Sequence, residues 1–174
     1  MKFALRDDDL NYFFKPEEIE NNYKDIWNIC PISFSVVPFI KGNWLDITKK
    51  LESLGPGNTD ANFIDKIKND NIIYPIGENV LLVDYVKKKI LENKIYLTLH
   101  GIHHRNEDEI IPEMNGNFGI GAEFFTNRDM TIKLKESIIY IQDLFNQRIE
   151  IFTPPQNLLS LKGIKSILNN DLSI

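Results

Sequence analysis

Short runs of β-branched and aromatic residues alternate along this chain with longer amphipathic stretches, the pattern of βα units around a largely parallel sheet. Residues 2–6 read as a short first strand, with Asp7, Asp8 and Asp9 directly after it. Pro16, Glu17 and Glu18 open a helix expected to run to about Asn28, because proline suits the first turn and acids there face the positive end of the helix dipole. Residues 31–38 place β-branched and aromatic residues between two prolines and read as a second, buried strand. Residues 40–77 keep no long period and are broken by Gly55-Pro56-Gly57, so they read as a mobile or irregular insertion with short helices. Asn79 caps a helix whose Leu82, Tyr85, Val86 and Ile90 recur at helical spacing, with Lys87, Lys88 and Lys89 near its C-terminal end. Ile95–Leu99 reads as a third strand, residues 115–121 as a loop, and residues 130–145 as another amphipathic helix. Residues 149–153 give a fourth strand stopped by Pro154 and Pro155, and residues 157–168 a last helix.

Composition narrows the class. A length of 174 residues suits one domain, and 43% hydrophobic beside 26% charged residues excludes disorder as the main state. A net charge of −5 gives no electrostatic footprint for a phosphate backbone, so nucleic acid is not an expected partner. Cys30 is the single cysteine and cannot form an internal bridge, and the N-terminus lacks the apolar stretch of a signal peptide. A reduced cytoplasm is therefore the expected setting, and no run approaches the ~20 apolar residues that span a bilayer.

The three histidines of the chain, His100, His103 and His104, fall in one short segment directly after a predicted strand. The C-terminal ends of strands are where α/β folds build sites, and imidazole is a common metal ligand. Gly101 favours a tight turn there over a helix. A histidine pair alone is more often a polar loop answered by surface carboxylates, but the three aspartates also follow a strand and share that rim. Adjacent carboxylates repel one another unless a cation or hydrogen bonds compensate, although a solvated, helix-capping turn is the plainer reading of the run alone. Together the two clusters make a mixed histidine and carboxylate set suited to Zn²⁺, Co²⁺ or Ni²⁺, with too few oxygens for Ca²⁺.

The order of strand then Asp-Asp, strand then His-x-x-x-His, and strand then Pro-Pro resembles the polysaccharide deacetylase family, carbohydrate esterase family 4, in its short divergent branches. Residues 4–9 (ALRDDD) are similar to the first family motif, residues 99–104 (LHGIHH) to the second and residues 152–155 (FTPP) to the third, while Glu123-Phe124 resembles an acid–aromatic pair of divergent members. The resemblance runs from Phe3 to about Ile167 and implies a single domain over residues 1–174 built as an irregular, incomplete (β/α) barrel with mostly parallel strands. It implies a metal-dependent hydrolase that removes an acetyl group from an N-acetylated sugar or glycan. Asp8 would be the catalytic base, Asp9, His100 and His104 the ligands of Zn²⁺ or a similar divalent ion, and the metal with a backbone N–H in the Phe152 to Pro155 segment would hold the oxyanion, with Thr153, Pro154 and Pro155 as oxyanion or substrate-positioning residues.

Several departures from the family pattern shape the remaining expectations. Thr153 stands where the family's third motif carries an arginine that pairs with the catalytic aspartate, so Arg6 is the candidate substitute. The later motif with a general-acid histidine has no counterpart up to Ile174, which leaves His103 as the spare imidazole and suggests a C-terminus cut short or a shorter version of the family. A degenerate member that binds a glycan or protein partner without turnover is the alternative. Asp7-x-Asp9 after a hydrophobic strand also fits the start of a haloacid-dehalogenase-like phosphatase, though nothing in that chemistry calls for the histidines. Cys30, Trp27 and the glycines at 116, 119 and 121 read as structural, and Trp44 as core or a sugar-stacking ring.

Overall fold

The computed structural model describes residues 4–54, 61–108, 113–114 and 117–174. Its elements run β1 (Leu5–Leu10), α1 (Pro16–Tyr23), β2 (Ile32–Val36), β3 (Phe39–Lys41), α2 (Trp44–Leu54), α3 (Ala61–Asn69), β4 (Ile73–Pro75), α4 (Val80–Leu91) and β5 (Ile95–Leu99). They continue with β6 (Glu113–Met114), β7 (Asn117–Phe118), α5 (Thr131–Phe145) and α6 (Leu161–Leu168). The chain is an α/β protein whose central sheet has three parallel strands in the order β1-β2-β5.

The two faces of that sheet differ, as alternation along strands requires. Ile32, Phe34 and Val36 of β2 and Ile95, Leu97 and Leu99 of β5 lie in register and face the helices, where they join Ile19, Leu82, Val86, Leu134, Ile141 and Ile167 in the main core. The intervening Ser35 and Thr98 turn to the other face, where both are buried and Thr98 Oγ1 donates to Ser35 Oγ at 3.0 Å. That polar face carries the chemistry described below.

Several boundaries differ from the sequence reading. The aspartates lie within β1 rather than beyond it, because β1 continues to Leu10 alongside Val36; Lys2 and Phe3 lie outside the described residues. α1 ends at Tyr23, and the chain to Cys30 turns through short-range bonds such as Ile29 N to Ile26 O (2.7 Å). Residues 40–77 are more regular than expected. β3 and β4 pair antiparallel and bracket α2 and α3, while Gly55-Pro56-Gly57 lies outside the described residues. The expected loop at 115–121 includes β7, which pairs with β6; Asn115 and Gly116 lie outside the described residues.

The expected fourth strand is reduced to single parallel bridges, Leu99 with Phe152 and Ile151 with Ser173. Pro154 and Pro155 follow at once and have no N–H to extend a ladder. The last helix starts at Leu161, not residue 157, because Gln156 (φ 52) and Asn157 (φ 55) are left-handed, and Ser160 caps it by accepting from Gly163 N. The described strands therefore form an open sheet with no closed barrel. Among the described residues no helix is long and apolar enough to cross a membrane.

Asn79 acts as the sequence predicts and does more. Its side-chain oxygen accepts from Leu82 N (3.1 Å), while its amide donates to Tyr12 O (2.8 Å) and Phe14 O (3.0 Å), which ties α4 to the loop after β1. Replacing Asn79 with alanine is expected to cost about 1–2 kcal/mol, the upper part of the range for a lost cap. Urea unfolding of the variant checks this, and a midpoint equal to wild type would contradict it.

Candidate metal centre

The three adjacent aspartates end up with three different sets of partners. Asp7 points to the helical side, where Tyr23 Oη donates to its Oδ2 at 2.6 Å and burial pushes its carboxyl up. Asp8 points to the polar face. It is held by Arg6, two residues back on the same side of the strand, through Nε to Oδ1 (2.9 Å) and Nη2 to Oδ2 (3.0 Å). Asp9 would return to the side of Asp7 in a regular strand, but its φ of +69° and the register shift between Asp7 and Leu10 swing it toward β5. Buried Asn11 secures this kink by donating from Nδ2 to Asp9 O at 2.6 Å.

Asp9 thereby meets the histidine loop. Its Oδ1 lies 3.3 Å from His100 Nε2 and 3.0 Å from His104 Nε2, and both imidazoles are only 3% exposed. His100 Nδ1 donates to the Thr153 carbonyl at 2.9 Å, a bond that in the neutral ring leaves Nε2 as a bare lone pair directed at the carboxylate. Asp9 Oδ1 and both ring nitrogens of His104 are buried without any hydrogen bond. His100 Nε2 directs a lone pair at the same carboxylate oxygen that His104 Nε2 approaches, an arrangement that a cation held between the three groups would satisfy. Donors about 2.0–2.2 Å from a common ion at tetrahedral angles sit roughly 3.3 Å apart, close to these separations. Asp9, His100 and His104 thus form a group that can hold a metal ion. Burial alone would raise the Asp9 carboxyl, but without an ion His100 and His104, when protonated, donate to it, outweigh burial and hold it well below its usual range.

The loop that carries the histidines is shaped by its neighbours. Gly101 adopts φ +75°, and a Cβ there would collide with Glu123 Oε2 and lie 2.8 Å from Pro155 Cγ. Glu123 accepts from the N–H groups of Ile102, His103 and His104, and burial pushes its carboxyl up against the pull of His103 and those bonds. A side chain at Gly121 would come within 2.5 Å of His104 Cε1, and Trp44 stands edge-to-face against the His104 ring with centroids 4.8 Å apart. Next in the chain, Arg105 is buried and donates to Ile67 O and Lys41 O, fastening the loop to α3 and β3.

Two expected roles are corrected. The segment of Thr153, Pro154 and Pro155 has no spare backbone N–H for an oxyanion: Phe152 N donates to Ser173 O and Thr153 N to Leu99 O, both at 2.8 Å, and prolines carry none. Thr153 serves instead through its carbonyl to His100. His103 does not face the metal group, because its Nδ1 donates to Phe39 O at 2.8 Å on the side of β3. Trp27 is buried under the Lys89 ammonium, 4.0 Å from the ring centroid, and offers no stacking platform.

Sequence reasoning passed over Asn11, Ser35 and Thr98. Ser35 Oγ donates to Asp8 Oδ1 at 2.7 Å and lies 3.1 Å from Thr153 Oγ1, and Thr98 lies 3.3 Å from the same Thr153 oxygen. The available signal was the alternation within β2 and β5, which puts hydroxyl residues, Ser33 and Ser35 in one and Tyr96 and Thr98 in the other, on the face opposite the apolar residues. These positions match in register, Ser35 opposite Thr98.

Metal-free protein is expected to show the Asp9 contact in its acid unfolding. A carboxyl lowered in the folded state contributes stability that is complete above its ordinary value of 3.8 and is lost as pH falls through the lower folded value. The stability advantage of wild type over Asp9→Asn should therefore shrink as pH drops below about 4, measured by urea unfolding across the acid range. An advantage independent of pH would contradict the contact. No family model matches this sequence and no curated protein matches it, so the functional reading rests on the geometry of this group.

Proposed function

We propose that the chain is a metal-dependent hydrolase of the polysaccharide deacetylase type, with its open parallel sheet as part of an incomplete barrel, acting on an N-acetylated sugar or glycan. The observation that carries the reading is the convergence of His100 Nε2 and His104 Nε2 on Asp9 Oδ1, with Asp9 Oδ1 and the His104 ring nitrogens buried without hydrogen bonds. Three protein ligands are the number a catalytic site uses, since a fourth position stays open for substrate. The ion held there, Zn²⁺ or a similar divalent cation, supplies Lewis acidity that polarises an acyl oxygen and acidifies water.

The chain's own residues account for orientation and proton transfer. Asp8 neighbours the ligand Asp9, and its carboxylate is fixed by Arg6 and Ser35, so it is placed to take the proton of an attacking water as general base. Arg6 fills the place of the arginine expected at Thr153. The Thr153 carbonyl fixes the tautomer and ring orientation of His100, the part an outer hydrogen-bond partner plays for metal-bound histidines.

A second reading is favoured by specific contacts. His103 is turned to Phe39 and the N–H groups of Phe152 and Thr153 are taken, so the leaving group has no proton donor and the oxyanion no backbone donor from these residues. A glycan- or protein-binding member of the same fold, holding metal without turnover, fits those contacts. The phosphatase reading is disfavoured, because Asp7 is engaged by Tyr23 and does not join Asp9.

Elemental analysis of the purified chain, followed by an acetate-release screen on acetylated sugars, separates the readings. Wild type should carry about one divalent ion per chain, lost in Asp9→Ala and His100→Ala, while Asp8→Asn keeps the ion and loses at least about 100-fold in turnover. Metal without acetate release from any acetylated substrate would support the binding member. Equal metal content and activity in all three variants would sink the metal reading.

A further inference from the structure

Glu123 is 4% exposed, yet among the described residues every hydrogen bond its carboxylate accepts comes from backbone: Ile102 N at 2.7 Å, His103 N at 3.0 and 3.1 Å, and His104 N at 3.2 Å. Three successive N–H groups in a tight loop form a concavity suited to an anion. Here the anion is the chain's own side chain, and both of its oxygens face donors, as suits the ionised form. Gly101 makes the wrap possible, since a Cβ at that position would strike Glu123 Oε2. The loop between His100 and His104 is thus closed around a negative charge that is not itself one of the converging ligands.

We propose that Glu123 is a positioning residue of the metal centre, holding the His104 ligand in place through the three successive backbone N–H groups that its carboxyl gathers. This rests on the metal reading of Asp9, His100 and His104.

Co²⁺ titration of the metal-free full-length chain tests it, using wild type, Glu123→Gln and Glu123→Asp, with thermal melts of each metal-free protein. Glu123→Gln keeps the size but turns one acceptor oxygen into an NH2 that faces the His103 N–H, which loosens the loop's anchor. Its Co²⁺ affinity is expected to fall about 10–100-fold, with a changed visible spectrum at saturation, while Glu123→Asp recovers part of the affinity. A folded Glu123→Gln with wild-type affinity and spectrum would overturn the proposal. Should Glu123→Gln fail to melt cooperatively, hydrogen exchange in wild type decides: the amides of Ile102, His103 and His104 should exchange more slowly with Co²⁺ bound, and unchanged exchange overturns the coupling. Absence of Co²⁺ binding by wild type is a different failure, since it removes the metal reading and this inference with it.

Discussion

The structure turns on one electrostatic problem: two imidazole nitrogens are brought within 3.3 Å of one carboxylate oxygen, and the three groups lie within 4.8 Å of one another. Asp9 Oδ1 and the His104 ring nitrogens are buried without hydrogen bonds, and in the neutral ring the Thr153 carbonyl fixes His100 so that its Nε2 offers a lone pair. Leaving buried polar atoms unpaired costs roughly 1–3 kcal/mol each, and more for a charged group. A cation between them removes that cost and converts repulsion into coordination.

Much of the surrounding structure serves to create the problem. The parallel sheet places β1 and β5 on either side of β2 with their C-terminal ends at the same end, so the Asp9 and His100 segments lie together. A left-handed residue at Asp9, secured by Asn11, turns one carboxylate out of the strand alternation. A left-handed pair, Gly101 and His104, folds the loop so that residues four apart along the chain present Nε2 atoms to the same oxygen. Behind this stand buried polar contacts, Ser35 with Asp8 on one side and Glu123 with three N–H groups on the other, which fix orientation where apolar packing alone would not.

The α/β class, β2, β5, the cap at Asn79 and the meeting of the aspartate run with the histidine cluster were legible because each rests on local pattern: buried apolar runs, a cap before helical spacing, and polar clusters at strand ends; the choice of Asp9 among the three aspartates, and of His100 and His104 among the histidines, came from the family resemblance. The path of β1 was harder. Its aspartates looked like a turn because they are charged, yet Asp7 is tolerated inside a strand by Tyr23, sixteen residues away, and Asp8 by Arg6 and Ser35. Residues 149–153 carry strand-like composition, but a ladder needs partners, and the described neighbours supply only single bridges at Phe152 and Ile151. The direction of His103 and the occupied N–H groups of Phe152 and Thr153 were not readable, since both depend on which distant carbonyl lies nearby: Phe39, Ser173 and Leu99.

The most direct test of the central claim is a crystal of the wild-type chain grown with Zn²⁺ or Co²⁺ and measured on both sides of the metal's absorption edge. The account predicts one strong anomalous peak bonded to Asp9 Oδ1, His100 Nε2 and His104 Nε2, with Glu123 outside bonding distance. No peak at that point, with the two histidines still facing a vacant carboxylate, would contradict it.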